Sequence, residues 1–194
     1  LIAFSSFFGG AGTAQTFPRK DGFVDQVIFA AYRRSVIDEI EGYPLGGDSE
    51  LNFLINRVGY KQYFTTKTNV YYYWRPRGAE PIFLAFLKRM FSYGAARMSM
   101  IKKYPASLKI VYAMPSVLVL LLILALIGHI FVPDCFITNL LIVLAGAYFI
   151  AAIISSIVVS SRNKYFRILP FVFISYLIIH LSYGIGFIYG VFKS

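Results

Sequence analysis

Cysteine and histidine are nearly absent from this chain, and each scarcity closes off a class of chemistry. The only cysteine, Cys135, leaves no internal disulfide and no thiolate-built metal cluster. Two histidines, His129 and His180, lie inside apolar runs and are too few for a histidine-built metal site. Gly9, Gly10 and Gly12 make a turn but not a dinucleotide fingerprint, because the third glycine is missing and no clear strand precedes them. Acid is scarce as well: 9 Asp and Glu stand against 19 Lys and Arg, a formal net charge of +10. That excess contains no basic run of the kind that marks nucleic-acid binding, and its members are scattered among aromatics. Anionic lipid headgroups or a phosphorylated substrate account for it more simply.

Charge is also missing from the whole second half. Beyond Lys109 only Asp134, Arg162, Lys164, Arg167 and Lys193 remain. Hydrophobic residues make up 58% of the chain, above the roughly 45–50% usual for soluble domains, and the mean hydropathy is +0.65. The chain therefore reads as a polar half followed by a membrane half. Three runs, about 110–132, 136–160 and 168–192, are each long enough to cross a hydrocarbon core of about 30 Å. Lys102, Lys103 and Lys109 precede the first run, and Arg162, Lys164 and Arg167 separate the second from the third. Basic loops face the cytoplasm, so this pattern predicts a cytoplasmic polar half and a C-terminus outside. His180 falls mid-run, where an ionisable group is a functional candidate, although a neutral histidine bonded to a neighbouring helix is the plainer state. Gly186 and Gly190 have the small-xxx-small spacing of close helix packing.

What is present in the polar half centres on Gly47-Asp48-Ser49-Glu50. Two carboxylates follow a glycine pair and open a segment whose apolar residues Leu51, Leu54, Ile55 and Val58 recur at helical spacing, ending near Gly59. A carboxylate at such a junction can act as a general base toward a hydroxyl, or simply cap the helix. Upstream, Phe23 to Tyr32 reads as a buried strand, and Arg33 to Ile40 as a short helix with Val36, Ile37 and Ile40 on one face. Lys61 to Thr65 and Asn69 to Trp74 are further strand candidates. Arg75 and Arg77 flank Pro76, and their forked donors suit a diphosphate, or else they line the membrane surface. Pro81 to Ile101 mixes large apolar residues with Lys88 and Arg89, as in a helix lying in the headgroup plane. Leu1 to Phe8 reads as the tail of a buried helix entering a glycine loop, so the chain is expected to be the C-terminal part of a longer protein.

The order Val24 to Arg34, Gly42-Tyr43, Asp48-Ser49-Glu50-Leu51-Asn52, Gly59-Tyr60, Tyr71 to Arg77 and Phe91-Ser92-Tyr93-Gly94 resembles the C-terminal half of a family 2 glycosyltransferase. The membrane-bound members of the succinoglycan-biosynthesis type are the nearest in kind. The resemblance implies an incomplete α/β domain of the GT-A type over 1–78, an interfacial amphipathic helix and linker over 79–105, and three transmembrane helices over 106–194. It implies a nucleotide-sugar donor, a lipid-linked or polysaccharide acceptor, inversion at the anomeric carbon and Asp48 as the general base. Substrate-binding roles for Arg75, Arg77, Lys88 and Arg89 go with it, as does a divalent metal, Mg or Mn, whose ligands are expected upstream of Leu1. The pattern's usual Glu-Asp is here Gly47-Asp48, and its usual arginine is here Leu54. A non-catalytic membrane anchor, an accessory subunit or a degenerate transferase relic is the alternative expectation.

Overall fold

The computed structural model describes residues 2–10, 20–28, 30–40, 47–68 and 80–193. The chain divides into a polar unit, Gly12–Arg75, and a helical unit made of Leu1–Ala11 together with Pro76–Ser194. The leading residues thus belong with the helical unit, whereas the sequence grouped them with the polar half.

In the helical unit a 3-10 turn, Ile2–Ser5, leads into a single helical turn α1, Phe7–Gly10. In the polar unit, β1 (Gly22–Val24), α2 (Arg34–Glu39), α3 (Asp48–Arg57) and β2 (Gln62–Phe64) follow. The two strands pair antiparallel, with Phe23 opposite Tyr63 and their rings 5.4 Å apart, edge to face. No wider sheet occurs among the described residues, so an α/β layer of the GT-A type is not what they show. The expected strand over Phe23 to Tyr32 shrinks to three residues, with Phe23 exposed. Its continuation bonds to side chains instead of a ladder: Asn56 Nδ2 donates to the Asp25 carbonyl at 2.8 Å, and Asn52 pairs with Val27. The expected strand over Asn69 to Trp74 lies outside the described residues.

The small core of this unit is Val36, Leu51 and Ile55, with Tyr32, Ile37 and Ile40 against it. Helix α3 ends as its sequence demands. Gly59 takes φ +92°, a value that suits glycine, its N–H donates to Asn56, and the Tyr60 N–H donates to Ile55. This double bond pattern satisfies carbonyls that the helix end would otherwise strand.

In the helical unit, α4 spans Ile82–Lys103, α5 Ile110–Phe131 and α6 Phe136–Arg162. The last apolar stretch is compound: α7 (Leu169–Leu177), a π-turn over Ile178–Ser182, then α8 (Tyr183–Phe192). Three helices, Ile110–Phe131, Phe136–Arg162 and Phe166–Phe192, are long and apolar enough to cross a membrane. Their exposed Leu, Ile, Val and Phe side chains are what a lipid solvent accepts without cost.

Helix α4 runs parallel to the end of that last stretch in a fixed register. Ser182 Oγ donates to the Leu87 carbonyl at 2.7 Å, Gly186 sits against the Phe91 backbone, and Gly190 against Ala95 and Met98. The first three pairings share one offset, so the two axes stay side by side for several turns. Lys102 Nζ closes the arrangement, donating to the Val191 carbonyl at 2.6 Å and the Lys193 carbonyl at 2.8 Å. A lysine there answers the unsatisfied carbonyls at the end of α8.

Candidate functional site

Asp48 opens α3 as its first helical residue, and its side chain is exposed. The capping position belongs to Gly47, at φ +72° and ψ −160°, a backbone that only glycine adopts easily. Asp48 is therefore not the capping residue that a structural reading of the sequence offered. With Glu50 it places acid in the first turn, where the helix dipole favours negative charge. Glu50 itself is buried.

The backbone beneath Asp48 is held by Asn52, one turn on and almost fully buried. Asn52 Nδ2 donates to the Asp48 carbonyl at 2.6 Å and to the Val27 carbonyl at 3.0 Å, while its Oδ1 accepts from the Val27 N–H at 3.2 Å. One amide thus pairs both backbone groups of a loop residue, as a neighbouring strand would. Gln62 Nε2 extends the clamp at 3.3 Å to the Asp25 and Asn52 carbonyls and to Asn56 Oδ1. A buried polar set of this kind fixes one arrangement, because each lost partner leaves a desolvated group behind. Asn52→Ala is expected to cost about 2–4 kcal/mol. It should show as earlier proteolytic cleavage around Val27 in the detergent-solubilised protein.

Tyr32 completes the surroundings of Asp48. Burial pushes its hydroxyl above the usual tyrosine pKa, and the negative charge of Asp48 adds to the rise. The phenol keeps its proton at neutral pH. At the sheet edge, Thr66 donates to Asp21 through both its hydroxyl (2.6 Å) and its N–H (2.8 Å) and holds that carboxyl below the usual range. The stability this pair contributes is present at neutral pH and is lost as pH falls through the lowered value.

The other sequence candidates are placed as follows. Arg75 and Arg77 lie outside the described residues. Lys88 and Arg89 stand on α4, in the helical unit: Lys88 Nζ pairs with Glu80 Oε2 at 2.6 Å, and Arg89 Nε donates to the Tyr93 hydroxyl at 2.7 Å. Among the described residues no three His, Cys, Asp or Glu side chains come together as a metal's donor set.

A second polar constellation lies in the helical unit, around the π-turn. His180 Nε2 stands 2.9 Å from the Phe8 carbonyl and Nδ1 2.9 Å from the Tyr148 hydroxyl. A carbonyl only accepts, so Nε2 carries the hydrogen, and in the neutral ring Nδ1 then accepts from Tyr148. Ser6 Oγ donates to the Ala3 carbonyl and accepts from the Gly9 N–H, leaving Tyr176 to donate to it at 2.7 Å, while Ser155 donates to Tyr176. The leading turn is thereby sewn to the last apolar stretch. Sequence reading singled out His180 but none of its partners. A signal for Asn52 was present, a polar residue on the apolar face that holds Leu51 and Ile55. Comparison with protein-family models, curated proteins and solved structures returns no match to this chain.

Proposed function

We propose that this chain is the C-terminal portion of a membrane-bound inverting glycosyltransferase, acting at the cytoplasmic face, with Asp48 as its general base. The observation that carries the reading is the Asp48 carboxylate, exposed at the first turn of α3 on a backbone held by Gly47 and Asn52. An exposed carboxylate can be reached by an acceptor hydroxyl, and a fixed backbone keeps it in one place when it is. The acceptor oxygen attacks the anomeric carbon as its proton passes to Asp48. A glycosidic C–O bond forms, the C–O bond to the nucleotide diphosphate breaks, and the diphosphate leaves with the electron pair.

In this reading Arg75 and Arg77 serve phosphate oxygens, and Lys88 and Arg89 bind the acceptor or the phosphates, Lys88 by exchanging its Glu80 partner. The donor is a nucleotide sugar and the acceptor a lipid-linked or polysaccharide hydroxyl. Membranes from cells expressing the gene-length protein, given radiolabelled nucleotide sugars, should yield a labelled lipid or polymer product. Counts equal to those of empty-vector membranes across uridine- and guanosine-diphosphate sugars would refute the enzyme.

A second reading, a non-catalytic anchor or accessory subunit, is favoured by the glycine-mediated packing of the helical unit. Gly94, Gly184, Gly186 and Gly190 bring backbones together and build a rigid body that needs no acid. Under it, the transfer assay stays at background while the protein remains folded in the membrane.

A further inference from the structure

We infer that only two of the three apolar helices cross the membrane, and that Phe166–Phe192 lies with α4 in the cytoplasmic leaflet, keeping the C-terminus on the basic face. This is independent of any catalytic role.

Helices α5 and α6 are joined by a four-residue turn, and Gly128 of one sits against Thr138 of the other. Two successive crossings return the chain to the face it left, so Arg162 emerges beside Lys109. The end of α4 is on that face too. Six residues connect it to α5, and Arg97 stacks over the Tyr112 ring at 4.2 Å. Lys102, on that last turn of α4, bonds the Val191 and Lys193 carbonyls. The 27-residue helix from Phe166 to Phe192 therefore begins and ends on one face. A helix about 40 Å long cannot do so while crossing, so it stays within the leaflet it entered, its middle reaching Tyr148 halfway along α6 through His180.

Lys88, Ser92, Ser99, Lys102 and Lys103 are exposed along the length of α4, beside exposed Ile82, Phe83, Leu84 and Leu87. Hydrocarbon tolerates the second set and not the first, whereas the headgroup boundary takes both. The register that holds Ser182, Gly186 and Gly190 against Leu87, Phe91 and Ala95 gives α8 the orientation of α4. The π-turn at Ile178–Ser182 lies where the helix passes from α6 to α4, and such turns re-aim the faces that follow them.

With two crossings, Lys102, Lys103, Lys109, Arg162, Lys164, Arg167 and Lys193 all share one face, and the α5–α6 turn holds Asp134 and no basic residue. Three crossings would strand Lys193 outside. Positive charge collects on the cytoplasmic side, so the two-crossing arrangement satisfies the rule throughout.

The test uses the full chain in a bacterial inner membrane. Cys135, in the α5–α6 turn, should react with a membrane-impermeant maleimide in intact spheroplasts. Lys193→Cys in a Cys135→Ser background should react only after permeabilisation, as Lys103→Cys does. A green fluorescent protein fused after Ser194 should fluoresce, and an alkaline phosphatase fused there should be inactive. An active phosphatase with a dark fluorescent fusion, or Lys193→Cys labelled from outside while Lys103→Cys is not, would overturn the inference.

Discussion

Asp48→Asn in the gene-length protein should lower sugar transfer by roughly 10²–10⁴-fold while leaving the protein folded and in the membrane. The size follows from the role: asparagine keeps the shape of the side chain but cannot take up a proton at neutral pH. Folding should survive because the side chain is exposed and its backbone is held from below by Asn52 and from before by Gly47. Asp48→Glu keeps the acid and displaces it by one methylene, so part of the lost rate should return. A fall confined to the Michaelis constant, with the turnover number unchanged, would assign Asp48 to binding rather than proton transfer. Full activity in Asp48→Asn would remove it from the chemistry altogether.

Gly186→Ala should destabilise the helical unit by about 2–4 kcal/mol, a large effect for one methyl group. A Cβ at Gly186 would run into the Phe91 backbone, with its carbonyl oxygen nearest and its carbonyl carbon at 2.7 Å. No flexible side chain is available to move aside, so α4 and α8 would have to part along their length. Gly146 is the internal control. It is exposed on α6 with nothing within 4 Å of an added Cβ, and Gly146→Ala should gain up to about 1 kcal/mol from helix propensity alone. Thermal denaturation of the detergent-solubilised protein should therefore move in opposite directions for the two variants. Equal shifts would mean that the register between Gly186 and Phe91 does not hold the unit together.

The helices were legible where local signals agreed. The bounds of α3 follow from Gly47, the apolar spacing and Gly59, and the apolar runs announce α5 and α6 to within two residues. The failures all concern partners far away in the chain. Phe23 to Tyr32 has the composition of a strand, but Asn52, Asn56 and Gln62 occupy the backbone groups a second strand would have used. The leading turn looks like part of the polar half until Phe8 is seen against His180, 172 residues later. At the candidate site, Asp48 stood out because an acid after two glycines is conspicuous. Tyr32 did not, and although Asn52 is a polar residue on the apolar face of α3, nothing local to a tyrosine or an asparagine says which loop or charge will be folded against it.

The bond between the Phe8 carbonyl and His180 also fixes an order of events during synthesis. At about 5–20 residues per second, a ribosome needs on the order of ten to thirty seconds to travel from one to the other. Through that interval the leading turn has been made and its receptor has not. The helical unit cannot close around Phe8 until His180 has been made.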